Sequence, residues 1–393
     1  KSLNLLVLLY LFLNLNLCHS KETHFLGKLA EDEPVDSCKD FTFTPTKENV
    51  KIIGRYYQEK DITWIVQSGS ALEFYLTGMS AEVVLAGGNS IYNDANYRPR
   101  FGVYVDDEII EDTTMSELEL TITLFKESTE KKAKIKVMML SEANNGGIGI
   151  KSININSCNE KPIKATEKKK LSVEIIGDAI TAAYGVERAN QYENFKTTTE
   201  NFSKSYAYLT AKKLDADYSA VCYSGHGIVS GYSTGEKNAE LLVPEVYTRI
   251  SKNSDYPGEW DFENNQNDVI VINLGTNDLN YVKAEPETRN DEFIQEYANF
   301  LTLIRKKNPK SYIICTVGIM GGGDEIYPLI VKAVELVGDE KISSYKSNTQ
   351  NMNDGLGSDW HPSLKTQTYN SYVLSDKICN AIGVESDQVG LDV

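Results

Sequence analysis

The rhythm of apolar residues changes near residue 171, and that change limits the folds open to this chain more than any other feature. From about 41 to 157, apolar residues come in short runs separated by Gly, Asn and Asp: 63–66, 71–76, 82–85, 101–105, 118–125, 133–139 and 148–155. Short runs of alternating character bounded by turn residues are the pattern of half-buried strands. With no amphipathic helix among them, they predict an antiparallel β-sandwich, a jelly roll. From 171 onward, apolar strand candidates at 171–176, 220–223, 269–274 and 312–317 alternate with helical segments at 205–214, 293–307, 327–337 and 364–382. Phe293, Tyr297, Leu301 and Ile304 recur at intervals of three and four, giving one apolar helix face, and Asn308-Pro309 closes it. Strands alternating with helices predict an α/β domain built on a parallel sheet covered on both faces.

A length of 393 residues accommodates two such cores. The expected organisation is a signal peptide at 1–20, a flexible segment at 21–40, a β-sandwich at 41–158, a linker at 159–170, the α/β domain at 171–385 and a tail at 386–393. Residues 1–20 combine one basic residue, an apolar run from Leu3 to Leu17 and small residues near a cleavage point, so the protein is expected to be secreted and extracellular. Asn4, Asn14 and Asn16 interrupt that run, which argues against a membrane anchor. In an oxidising compartment, Cys38 and Cys158, which bracket the sandwich, are an attractive disulfide pair. Asn201-Phe202-Ser203 is a glycosylation sequon that would require a surface position. The lysines at 168–170 read as a solvated linker. A formal net charge of −16 argues against nucleic acid and anionic membranes as partners, since both need a basic face. No Cys/His cluster suggests a metal, and nothing calls for a cofactor.

Four short blocks carry the chemistry. Residues 173–177 read as a buried strand that Gly177-Asp178 breaks, followed by the start of a helix at Ala179. Ser224-Gly225-His226-Gly227, Gly275-Thr276-Asn277-Asp278 and Ser358-Asp359-Trp360-His361-Pro362 fall where other strands end or the last helix begins. Loops at one edge of a doubly wound sheet converge on one cleft. Acyl transfer there needs a nucleophile, a base and fixed donors for the developing oxyanion. His361 is the candidate base, chosen over His24 and His226, and His226 is expected in the cleft wall. Asn277 offers an amide, and Gly227 a backbone N–H unobstructed by a Cβ. Asp178 is expected to hold the turn by accepting backbone N–H bonds.

In order, Gly-Asp-x-Ile-Thr, Ser-Gly-x-Gly, Gly-Thr-Asn-Asp and Asp-Trp-His-Pro, behind a β-sandwich, resemble carbohydrate esterase family two, a group of SGNH (GDSL-type) acetyl esterases. The resemblance implies an SGNH-hydrolase-like, flavodoxin-like sheet. It also implies a metal-free serine esterase removing O-acetyl groups from plant cell-wall polysaccharides or oligosaccharides such as xylan or glucomannan. The residue after Gly-Asp is the nucleophilic serine in that group and is Ala179 here. A methyl group cannot attack a carbonyl, and loss of a serine nucleophile costs roughly a million-fold in subtilisin. This form is therefore expected to be inactive, either as a replacement of the serine or as a natural glycan-binding relative. The group's pattern puts an Asp three residues before the His, a position held here by Ser358. Asp359 or a backbone carbonyl is left as the orienter of His361. Trp360, Tyr184, Trp260 and Tyr281 lie near the blocks and are candidates for stacking on sugar faces.

Overall fold

The computed structural model describes residues 38–188 and 190–384. The expected signal peptide, residues 21–37 of the expected flexible segment and the tail lie outside that range.

Ten strands form the first domain: β1 (Lys39–Phe43), β2 (Lys51–Ile53), β3 (Tyr56–Glu59), β4 (Ile62–Ile65), β5 (Ala71–Gly87), β6 (Arg100–Val105), β7 (Glu108–Thr114), β8 (Glu119–Met139), β9 (Ile148–Ser157) and β10 (Ile163–Ala165). They make one antiparallel sheet in the order β3-β4-β9-β5-β8-β6-β7, with β1 added to β9 and β2 and β10 added to β5. The runs 71–76 and 82–85 belong to one 17-residue strand, β5, and 118–125 and 133–139 largely to one 21-residue strand, β8. Their pairing is interrupted by register shifts between Gly78 and Ser80 and between Ala81 and Glu82. Such irregularities bend strands. The first half of β5 pairs with β2 and β10, the second with β9. The sheet thus curls around a core that includes Leu72, Phe74, Val83, Ile135, Val137 and Ile153.

Two boundaries differ from expectation. Lys39 and Asp40 already belong to β1, paired with Ser157 and Asn156, and the Cys38–Cys158 disulfide closes that end of the domain. The linker is partly structured: Ile163 and Ala165 pair with Leu76 and Phe74, although the lysines at 168–170 are exposed. The sequon is not on the surface. Asn201 is buried, and its amide donates to Glu187.

The second domain runs β11 (Ser172–Gly177), α1 (Ala179–Ala182), α2 (Tyr206–Lys213), β12 (Asp217–Cys222), α3 (Val243–Val246), β13 (Val269–Asn273), α4 (Leu279–Ala284), α5 (Pro286–Lys307), β14 (Tyr312–Val317), α6 (Gly323–Val337), β15 (Ile342–Lys346) and α7 (Leu364–Ile382). The strands are all parallel in the order β12-β11-β13-β14-β15. One face packs on Phe293, Tyr297, Leu301 and Ile304 of α5 and Ile326 and Ile330 of α6. The other packs on Tyr206 and Ala207 of α2 and Leu374 and Ile378 of α7. Strand order reverses at β11, so the topological switch point lies between β11 and β13, beyond Gly177 and Asn273.

The two domains share a core. Ile53, Ala71, Met138 and Leu140 of the β domain pack in the same cluster as Val173, Ile175 and Val271 of the parallel sheet. Arg55, on the turn between β2 and β3, is fully buried in the second domain. It pairs with Glu174 at 3.2 Å, donates to the carbonyls of Tyr247 and Arg249, and lies against the rings of Tyr247, Trp260 and Phe262.

Candidate active site

The turn after β11 has the expected construction. Asp178 caps α1, its Oδ1 accepting the Ile180 N–H at 2.9 Å, and its Oδ2 accepts the Asn277 amide at 3.1 Å. Burial pushes the Asp178 carboxyl up to about 7. Ala179 is the first helical residue, so its N–H has no intrahelical acceptor, nor any other among the described residues. Ala183, in the left-handed region at φ 61°, ends the short helix and turns the chain, so that Tyr184 N–H donates to Ala179 O at 3.1 Å.

His361 arrives from the loop before α7. Its ring lies 4.3 Å from that of Tyr184, centroid to centroid, which links the base loop directly to the Ala179 turn. Ser358 N–H also donates to Gly185 O at 3.2 Å. His361 Nδ1 bonds to Ser358 O at 3.1 Å. A carbonyl accepts only, so this bond fixes the Nδ1–H tautomer and leaves Nε2 with a free lone pair. Burial lowers the imidazole to about 4, against an opposing pull from the Ser358 carbonyl and the Asp359 charge.

Asp359 is therefore not the orienter. Its Oδ2 accepts the Tyr184 hydroxyl at 2.8 Å, and Ser358 O takes the position at Nδ1. Tyr184 is not a free stacking surface either: its ring lies between Phe195, at 4.1 Å, and His361.

The loop after β12 corrects a second expectation. The Gly227 N–H donates to Leu241 O at 3.0 Å and is not available to an oxyanion. Gly227 is required for close approach instead: a Cβ would lie 2.0 Å from Ser230 O and 2.6 Å from Asp278 Oδ2. Gly225, at φ 77°, has the N–H without an acceptor among the described residues. Asp278 organises this loop by accepting the N–H groups of Ile228, Val229 and Ser230 at 2.8 to 3.1 Å. Asn277 is anchored on both sides, its amide also donating to His226 O at 2.9 Å, so it does not present the free donor anticipated. His226 is buried beneath, Nδ1 on Ser224 O and Nε2 2.9 Å from Lys252 Nζ.

Trp360 is 47% exposed and meets the exposed Tyr192 edge to face at 5.5 Å. Trp260 and Tyr281 are 9% and 7% exposed. The first packs in the core against Tyr56 and Arg55, and the second is held by Arg289 and Glu292. Neither can stack on a ligand.

Two carboxyls escaped the sequence reading. Glu142, from the β domain, accepts the Ser224 N–H at 2.7 Å, and its own N–H donates to Glu200 at 2.8 Å. Both are buried, and burial raises both above the ordinary carboxylate range. Their contacts span 82 and 58 residues of sequence, and no local spacing signals them.

A parallel sheet in this order, with a Gly-Asp turn at its switch point and a carbonyl-oriented histidine beside it, defines the GDSL-like acylhydrolase class. The model of the GDSL-like Lipase/Acylhydrolase family matches residues 175–339, and that of the carbohydrate esterase 2 N-terminal domain matches 52–162. The chain is similar to a family two carbohydrate esterase from Clostridium thermocellum solved with cellohexaose: 26% identity, TM-score 0.75, covering 85% of this chain and 99% of that one. It is 27% identical to the cellulase/esterase CelE of Acetivibrio thermocellus over 86% of this chain, spanning 40% of that protein's length. It is 23% identical to an acetylxylan esterase / glucomannan deacetylase of Cellvibrio japonicus over 74% of this chain and 76% of that protein. With both domains matched, the chain belongs to carbohydrate esterase family two.

Proposed function

We propose that this chain is a secreted carbohydrate O-acetyl esterase of the serine acyl-transfer type, and that Ala179 leaves the present form able to bind acetylated glycan but unable to hydrolyse it. The observation carrying this reading is His361: tautomer fixed by Ser358 O, Nε2 free, its ring against Tyr184, and a methyl group where the hydroxyl should be. Acetylated xylan and glucomannan are the favoured substrates, in line with the relative from Cellvibrio japonicus. The apolar run at the start of the chain and the Cys38–Cys158 disulfide support secretion.

With serine at 179, Oγ attacks the acetyl carbonyl carbon while His361 Nε2 takes its proton, and the carbonyl π electrons move to oxygen. The N–H groups of residues 179 and 225 meet that oxyanion. Collapse breaks the bond to the sugar oxygen, which receives the proton from Nε2. Water repeats the sequence on the acetyl-enzyme and releases acetate. Trp360 and Tyr192 supply the exposed aromatic surface for the glycan chain.

The test is Ala179→Ser, assayed for acetate release from acetylated xylan and glucomannan. The unaltered chain should show none above background, the variant should gain several orders of magnitude, and His361→Ala should remove that gain. An Ala179→Ser protein that folds, binds oligosaccharide and stays inert on both substrates would favour the second reading, a non-catalytic glycan-binding protein.

A further inference from the structure

On the face of the β domain turned toward α2 there is a cavity of about 640 Å3, within the range of small-molecule sites. The ladders explain its walls. Glu73 and Tyr75 alternate along β5 with the core residues Leu72, Phe74 and Leu76, and therefore point away from the core. Cross-strand register places Glu73 opposite Lys136, Tyr75 opposite Lys134 and Tyr104 opposite Lys136. One sheet face thus presents two tyrosines among charged groups. Tyr208 of α2, packed edge-on against Tyr218 at 5.3 Å, forms the opposite wall.

Six of the eight lining charges are fixed in pairs. Lys136 meets Glu73 at 2.9 Å, Lys134 meets Asp107 at 2.7 Å, and Lys169 meets Asp215 at 2.7 Å. Glu73 is further held by the Thr166 hydroxyl at 2.8 Å. Four lysines and four carboxylates line the cavity, so it carries no net charge. Glu167 pairs with Lys164 outside the cavity, so an ionic ligand would have to rely on the exposed Lys212 or break one of these pairs. A neutral ligand rich in hydroxyls can instead bridge them, because paired donors and acceptors match vicinal hydroxyls. The half-buried faces of Tyr75, Tyr104 and Tyr208 suit the apolar C–H faces of a pyranose. Burial raises the Tyr104 hydroxyl to about 12, so it remains a donor at neutral pH.

None of these residues belongs to the cleft of Ala179 and His361. We propose that this interdomain groove is a second, non-catalytic site for a neutral saccharide segment. The choice of a saccharide among neutral polyols rests on the function proposed above; the site itself does not.

The experiment is calorimetric titration of the unaltered chain with cellohexaose and, separately, xylohexaose, with NMR line-broadening for weak binding. Four variants are compared: Trp360→Ala in the cleft, Tyr75→Ala/Tyr208→Ala in the groove, both sets combined, and Ala216→Trp. The last fills the groove without deleting a contact. Circular dichroism and thermal melting verify folding, and Ala216→Trp keeps the test decisive if the double alanine variant unfolds. The expected result is two sites on at least one hexasaccharide. Trp360→Ala should leave one, the groove variants should leave the other, and the residual binding of Trp360→Ala should fall at least tenfold when groove substitutions are added. Binding abolished by Trp360→Ala alone and untouched by Ala216→Trp overturns the second site while the cleft assignment stands. Binding sensitive only to the groove variants supports the second site and counts against the cleft. No binding of either hexasaccharide overturns the second site, and acetate release by Ala179→Ser then judges the cleft independently.

Discussion

The orientation of His361 by a backbone carbonyl makes a sharp prediction about Asp359. Consider Asp359→Asn in an Ala179→Ser background. In a serine-protease triad, changing the orienting carboxylate to an amide lowers kcat by about 10⁴, equivalent to roughly 5.5 kcal/mol. Here Nδ1 is bonded to Ser358 O, and the Asp359 carboxylate is occupied by the Tyr184 hydroxyl. What asparagine removes is the charge assistance to that one hydrogen bond, about 1 kcal/mol. Asparagine also suits the backbone, since Asp359 sits at φ 50° and Asn tolerates the left-handed region better than other substituted residues. Alanine would add strain of about 1–2 kcal/mol and blur the result. The expected loss in kcat for acetate release at pH 7 is therefore less than about tenfold, with KM little changed. Tyr184→Phe, which removes that hydrogen bond altogether, should also stay within about tenfold, because the Ser358 carbonyl still holds Nδ1. A loss above about a thousand-fold in a protein that melts normally would refute the reasoning. It would mean that the carboxylate, not the carbonyl, holds Nδ1 in the working enzyme.

Other consequences are as direct. Arg55→Ala strands the Glu174 carboxylate in a dry core and should cost about 3–5 kcal/mol in urea unfolding, whereas Arg55→Met/Glu174→Leu should recover most of it; a loss below about 1 kcal/mol for the single change would contradict the burial described. His361 must be neutral to act as base, and burial lowers it from 6.5 to about 4. Acetate release by Ala179→Ser should thus hold to about pH 5 and fall tenfold per unit well below pH 4, so an acid limb centred near 6.5 would exclude this environment. Gly227→Ala should destabilise the chain by about 3 kcal/mol or more, because the new methyl meets the Ser230 carbonyl and the Asp278 carboxylate; wild-type melting would show that the loop yields freely.

What could be read without coordinates was whatever repeats or punctuates locally. The switch of rhythm near 171, the apolar face of α5, the cap at Asp178 and the sequence blocks are all short-range patterns. Directions and distant partners were not legible. Trp260 and Tyr281 lie close in sequence to cleft loops, but proximity says nothing about which way a side chain points, and both turn inward. Gly225 and Gly227 are two residues apart and chemically identical. Only the path of the loop over Asp278 and Leu241 decides which N–H is spoken for. The edge strand β15, Ile342-Ser-Ser-Tyr-Lys, is too polar to resemble the buried strands beside it and went unanticipated. Tyr192 had no motif to mark it.

The shared core changes what counts as a module in this protein. A loop carrying Glu142 and a turn carrying Arg55 reach out of the curled sheet to grip Ser224 and Glu174. Domains that meet through a polar seam can be exchanged, duplicated or lost one at a time. These cannot: a recombination crossover at 159–170 would strand an arginine on one side and a glutamate on the other, each shaped for a partner that a new neighbour lacks. The curled sheet is thus less an appended module than the rear wall of the enzyme, and the pair should be inherited as one piece.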